Sequence, residues 1–185
     1  MSIIKESDLH ATRELIGLIE QGQADKAKEL LRANPELAKG DDGEGWTPLI
    51  SACRLRDVEL VQLLLESGAN ANQRNWITPS NGEGDNFPLW FAANQKRPNR
   101  VEVATLLLEY GANVNMVGEF GETPLHQAAA WDNADIAEFL LQNGAYVNAE
   151  IIEGNTPLHL AEKYGFEEVA TVLKRYGARP TRNPE

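Results

Sequence analysis

The chain is poor in the residues on which cross-linking, metal binding and acid–base catalysis most often rest. Its 185 residues include one cysteine, Cys53, and three histidines, His10, His126 and His159. A lone cysteine excludes an intramolecular disulfide framework and any cysteine cluster for zinc or iron–sulfur, and it fits a reducing compartment. Long apolar runs are missing as well. The N-terminal stretch MSIIKESDLHATRELIGLIEQ lacks the apolar core of a signal peptide, and nowhere do about 18 apolar residues follow one another to span a bilayer. These absences predict a cytoplasmic chain with no membrane partner. Positive charge is scarce: 17 Lys and Arg against 28 Asp and Glu leave a formal net charge of −11, with a pI near 4.8. Such a field repels polyanions, so nucleic acid is not expected as a ligand, because phosphate neutralisation supplies most of that affinity. A basic partner would be attracted.

The missing cations are concentrated in one tract. From Val101 to Glu162 there is no Lys or Arg, while Glu102, Glu109, Glu119, Glu122, Asp132, Asp135, Glu138, Glu150, Glu153 and Glu162 all carry negative charge. Nearly the whole acidic excess is therefore a place in the chain and not a bulk property.

What is present is a soluble globular balance, 42% hydrophobic and 24% charged, in a length that suits one domain with a core. It is also repetitive. The segments TPLISAC (47–53), FPLWFAA (87–93), TPLHQAA (123–129) and TPLHLAE (156–162) each precede a leucine-rich run and a Gly-Ala pair, at Gly68, Gly111, Gly144 and Gly177. The glycines are spaced by 43, 33 and 33 residues, and insertions of seven residues before Pro88 and three around Lys96–Arg100 account for the longer interval. Thr47, Thr123 and Thr156 can cap a helix, and the following proline suits the first helical position, where its missing N–H is harmless. A second helix in each unit carries apolar residues at helical spacing: Leu60, Val61 and Leu64; Val103, Ala104 and Leu107; Ile136, Ala137 and Leu140; Val169, Ala170 and Leu173. Glycine then ends that helix, and the pairs Ala92-Ala93 and Ala128-Ala129 let the two helices approach. Helix pairs of this size cannot bury an apolar face alone, so they must stack, with polar end caps.

A 33-residue period with a T-P-L-H-x-A signature resembles the ankyrin repeat. The resemblance covers about residues 24–179. It implies an all-α solenoid of stacked helix-turn-helix units with protruding β-hairpin loops. The expected organisation is a single domain: an N-terminal helix near 8–21 and a degenerate capping repeat within 1–43, repeats at 44–76, 77–119 and 120–153, a C-terminal capping repeat at 154–179, and a tail at 180–185. Lys174 stands where earlier units have Leu65, Leu108 and Leu141, which turns the last outer face toward water and implies that the array is complete. Three departures stand out. Phe87 replaces a capping Thr, a loss of about 1 kcal/mol unless another group caps that helix. Trp90 and Ile50 occupy the histidine position. The expanded segment QRNWITPSNGEGDN reads as an extended loop, either a tolerated insertion or a binding loop.

No residue set looks catalytic. His126 and His159 sit at the TPLH position, where the resemblance implies hydrogen bonds that brace adjacent turns. His10 has no carboxylate pair at metal-ligand spacing, Cys53 lies at a packed Ala-like position, and Ser51 has no nucleophile context. Gly82-Glu83-Gly84 offers acids where a phosphate loop needs Lys. A metal-dependent hydrolase built on Asp41, Asp42 and Glu44 is the rival from another class, although that run is better explained as a polar connection. No cofactor or metal is expected.

Binding is the expected activity, since the resemblance places ligand-facing side chains at the hairpin tips before each TP and just after each Ala pair. Unit by unit these are Glu44, Trp46, Arg54 and Leu55; Asn86, Asn94 and Gln95; Glu119, Phe120, Glu122, Ala130 and Trp131; and Ile152, Glu153, Asn155, Lys163 and Tyr164. Trp46, Leu55, Phe120, Trp131, Ile152 and Tyr164 are apolar at positions that should be solvated, and carboxylates rim them. That is the composition of a protein-binding hot spot; the alternative is packing between hairpins, which applies equally to Val117 and Ile151. Trp76, in the expanded loop, either clamps the loop or contacts a partner. The resulting expectation is a monomeric, non-catalytic module that binds a basic protein, as an inhibitor of immunity or antitoxin type or, alternatively, as an adaptor or scaffold.

Overall fold

The structure is a computed structural model and describes residues 6–75, 86–94 and 98–180. Among the described residues the regular structure is helical and no strand occurs. The chain divides into two compact units, one formed by residues 1–92 with 102–112, the other by 93–101 with 113–185.

The first unit begins with α1 (Glu6–Glu20), α2 (Ala24–Ala33) and a 3₁₀ turn over Pro35–Lys39. The pairs follow: α3 (Pro48–Leu55) with α4 (Val58–Glu66), then α5 (Pro88–Ala93), whose last residue belongs to the second unit, and α6 (Arg100–Glu109), which joins the first unit from Glu102. α1 packs on α2 and α3, and α2 on α4, around Leu15, Ile19, Leu31, Leu49 and Leu64. The second unit holds α7 (Pro124–Ala130), α8 (Ala134–Gln142), α9 (Pro157–Tyr164) and α10 (Glu167–Arg175). Here α7 packs on α8 and α9, and α10 on α8 and α9. Ala128 and Ala129 are fully buried at the helix contacts, as the small residues require.

The local chemistry read from the repeat is present. The hydroxyls of Thr47, Thr123 and Thr156 accept from the backbone N–H groups of Ile50, His126 and His159 at 3.1, 3.4 and 3.2 Å. Each is followed by proline at the first helical position. Gly144, at φ 88°, ends α8 in the left-handed region, with Gly144 N donating to Leu141 O and Ala145 N to Leu140 O. That pair of bonds is a Schellman closure, and a side chain at Gly144 would be strained there. Phe87, expected only as a missing cap, is buried at 1% exposure and so serves the core. Lys174 is exposed and pairs with Glu162 at 2.8 Å, keeping the outer face of α10 polar.

The loops before each TP are narrower than strand-paired hairpins. Each is bridged end to end by a backbone bond, Asp42 N to Trp46 O at 3.0 Å, Gly118 N to Glu122 O at 2.8 Å and Ile151 N to Asn155 O at 3.0 Å, and inside the last two Gly121 N donates to Gly118 O at 3.2 Å and Gly154 N to Ile151 O at 2.8 Å. A five-residue tip leaves no length for a ladder. In the second unit neighbouring tips are tied together by Ile152 N donating to Phe120 O at 2.9 Å.

Candidate functional site

The residues expected at the surface separate sharply once placed. In the first unit Trp46 is half-buried, its Nε1 donates to Ser51 Oγ at 2.6 Å, and its ring meets the edge of Phe91 at 5.7 Å. The guanidinium of Arg54 lies 5.5 Å above that ring and pairs with Glu20 at 2.8 Å. Trp46 is therefore held by the fold and not offered as a free anchor. Asn86 and Asn94 are buried at 4% and 6% exposure, which removes them from any surface a partner could touch. Glu44 is exposed and Leu55 is 41% exposed at the end of α3. Trp76 and Gln95 lie outside the described residues.

The second unit keeps the apolar positions open. Phe120 and Ile152, at the two linked tips, are 55% and 76% exposed; Trp131 and Tyr164, at the far ends of α7 and α9, are 46% and 52% exposed. Glu119 and Glu153 are exposed beside them, while Glu122 and Asn155 are half-buried. Glu122 accepts from Phe120 N at 3.0 Å, and Glu153 accepts from Asn155 Nδ2 at 3.3 Å, so two carboxylates are oriented by their own tips.

The acidic tract divides in the same way. Cations brought from outside the tract neutralise three carboxylates of its helices, Arg100 gripping Asp135 at 2.6 Å, Arg175 meeting Glu138 at 2.9 Å and Lys174 meeting Glu162, whereas Glu102 and Glu109 of α6 form no ion pair among the described residues. Glu119, Glu122, Glu150 and Glu153 form no ion pair among the described residues. The unbalanced charge of this unit thus includes the tips, beside Phe120 and Ile152, together with Glu167 and Glu168 at the start of α10.

His126 shows how the tips are held. Its Nδ1 accepts from Thr123 N at 3.2 Å, which leaves the proton on Nε2 to be donated to Asn155 O at 3.2 Å. The ring is buried, and burial pushes its pKa down to about 4 against the opposing pull of the Asn155 and Ala149 carbonyls. A neutral, buried, doubly bonded imidazole is a brace between turns. The Cys53 thiol is likewise buried, and desolvation pushes its pKa up, which makes it unreactive. Asp41 and Asp42 organise their own tip, with Asp41 Oδ1 accepting from Gly43 N at 2.7 Å and Asp42 Oδ1 from Glu44 N at 2.8 Å and Trp46 N at 3.0 Å. Among the described residues no group of three His, Cys, Asp or Glu side chains is placed to hold a metal ion. No described helix is long and apolar enough to cross a membrane.

Sequence reasoning missed two features. Tyr146 is 69% exposed in the second unit, in place of the asparagine that forms a tight turn at Asn70 and Asn113. Asn72, Asn115 and Asn148 each donate a side-chain amide to the glycine carbonyl of the next repeat, Gly111, Gly144 and Gly177, at 2.8, 2.9 and 3.3 Å. The signal was available, because each of these asparagines stands four residues after a repeat glycine.

Comparison with known proteins agrees with this architecture. The family pattern "Ankyrin repeats (3 copies)" matches residues 89–184, and "Ankyrin repeat" matches residues 44–76. The chain belongs to the ankyrin-repeat family. Its similar proteins include human "Ankyrin repeat and SOCS box protein 16", 38% identical over 60% of this chain and 22% of that protein. Human "Ankyrin repeat and SOCS box protein 11" is 36% identical over 66% of this chain and 34% of its own length. An ankyrin repeat protein of fowlpox virus is 38% identical over 48% of this chain and 24% of its own length. The chain thus spans between about a fifth and a third of these relatives. Ankyrin repeats are protein-interaction modules and the family is generally non-catalytic; the fold here is correspondingly all-α, with helical pairs stacked within each unit.

Proposed function

We propose that this ankyrin-repeat chain is a non-catalytic module that docks a protein with a basic surface on the exposed face of its second unit. The observation that carries the reading is the set Phe120, Ile152, Trp131 and Tyr164, four large apolar side chains left open, the first two beside tip carboxylates that form no ion pair among the described residues and the other two at the far ends of α7 and α9. Large apolar groups are kept exposed where a partner covers them, and anchors of this type dominate interface energies. The unpaired carboxylates add steering and orientation. The buried, inert Cys53 supports action in a reducing, cytoplasmic setting, and self-repulsion at −11 supports a monomer.

The finer reading is inhibition, in the manner of an immunity or antitoxin-type protein that covers the basic surface of a nuclease-like partner. A second reading, an adaptor, draws support from relatives whose names join ankyrin repeats to a SOCS box. Affinity capture from the source cells tests both. Wild-type protein is expected to retain a basic partner that Trp131→Ala and Phe120→Ala lose while remaining folded by circular dichroism. Loss of the partner's own activity in the complex supports inhibition; retained activity supports the adaptor; equal capture by both variants moves the interface off this face.

A further inference from the structure

The next step rests on the reading of a basic partner and concerns how that partner lies. α7 and α9 start side by side, since Ile152 N bonds Phe120 O at 2.9 Å and His126 Nε2 reaches Asn155 O at 3.2 Å. Phe120 and Ile152 mark the tip end of this helix pair, and Trp131 and Tyr164 mark its other end. A helix of seven residues rises about 10 Å at 1.5 Å per residue, and this helix length separates the tip pole from the other.

The poles differ in charge. At the tips Glu119, Glu122, Glu150 and Glu153 pair with no cation among the described residues. At the helix ends Lys163 stands 5.7 Å from the ring of Tyr164, and Glu162 is neutralised by Lys174. Asp132 and Glu168 line a recess with Arg100, and Glu167 and Glu168 sit in the first turn of α10, where the helix dipole offsets negative charge. One pole therefore asks for cations and the other for an apolar group.

We infer that this face takes one extended segment of the partner, with arginine side chains at the tips and a bulky apolar residue about three positions along, against Trp131 and Tyr164. Extended chain covers about 10 Å in three residues. Two neighbouring helices offer a face about one interhelical spacing wide, 8–10 Å, narrower than a helix with its side chains. Arginine suits the tip because its planar guanidinium can fork onto an oriented carboxylate and lie on the ring of Phe120, which a lysine ammonium does not do.

The probe is a fluorescein-labelled synthetic peptide with paired arginines at one end, a two-threonine spacer, and phenylalanine and leucine at the other, together with its reversed sequence. The controls are a lysine-for-arginine version and one of the same composition with basic and apolar residues interleaved. The paired-end peptide is expected to bind, with the interleaved control weaker by about tenfold or more and the lysine version weaker by several-fold. Glu119→Gln with Glu153→Gln should weaken binding and flatten its salt dependence. Trp131→Ala should weaken it by about tenfold with the salt dependence unchanged. Equal binding of the interleaved control, or variants that alter the salt dependence alike, overturns the two-pole arrangement. Failure of every peptide, with the captured partner still lost by Trp131→Ala, overturns the linear segment and leaves the proposed function standing. A partner held equally by all variants removes both.

Discussion

At Phe87 two effects compete, and their magnitudes decide. Restoring the repeat's threonine would supply a cap worth about 1 kcal/mol, but Phe87 is 1% exposed, and deleting most of a buried phenylalanine costs about 3–5 kcal/mol. Phe87→Thr is therefore expected to destabilise the protein by about 2 kcal/mol or more in urea titration, although it moves the sequence toward the family pattern. His126 gives a prediction of a different sort. Its folded-state pKa is lowered to about 4 from an ordinary 6.5, so between those values the unfolded chain binds the proton and the folded one does not. The contribution is complete above pH 6.5 and is lost as pH falls toward 4, with a limiting slope of about 1.4 kcal/mol per pH unit from this group. Unfolding free energy measured between pH 5 and 6.5, above most carboxylate titration, should fall on acidification, and His126→Gln should flatten that dependence. An unchanged slope in the variant would assign the acid sensitivity elsewhere.

Between elements, the asparagine ties carry a load that the helices themselves do not show. Asn115 donates to Gly144 O at 2.9 Å and accepts from Tyr146 N at 2.8 Å, so one side chain satisfies two backbone groups just past the end of α8. Asn115→Ala removes both bonds, and at about 1 kcal/mol each the expected loss is about 2 kcal/mol. Hydrogen exchange should accelerate at Tyr146 N before it does so in α8. Asn115→Asp, which keeps the acceptor, should protect Tyr146 N while still losing the bond to Gly144. These ties also show why the helices were legible and the tips were not. Threonine caps, proline at the first helical position and apolar residues at helical spacing act within one repeat, so Thr123, Leu125 and Ile136 declare their roles locally. Trp46 and Trp131 stand in equivalent surface-type contexts in the sequence. One is nonetheless bound to Ser51, Phe91 and Arg54, and the other is open, because the deciding partners come from distant positions. The acidic tract was similarly visible as ten charges, while the pairing of Asp135, Glu138 and Glu162, and not of the tip carboxylates, depends on Arg100, Arg175 and Lys174 folding back from outside it.

For the molecule as a whole, the net charge of −11 and the ion pairs respond to salt in opposite directions. Screening weakens exposed pairs such as Arg175–Glu138 and Lys39–Glu36, each worth about 0–1 kcal/mol at most. It also relieves the mutual repulsion of the surplus carboxylates, which act over a Debye length of about 10 Å at 0.1 M and so include the clustered tip residues Glu119, Glu122, Glu150 and Glu153. The pairs are few and local, whereas the surplus is large and partly concentrated, so repulsion should dominate. The thermal midpoint is therefore expected to rise when sodium chloride is raised from about 0.02 M to 0.15 M, a range in which chloride acts mainly by screening. The same addition should slow association with a basic partner, because steering is lost over the same length. Replacing Glu119 and Glu153 with Gln should reproduce both effects at low salt, giving a more stable protein that associates more slowly. A midpoint that falls with salt would mean that the ion pairs outweigh the repulsion, and the unpaired tips would then lose their standing as the charge that drives encounter.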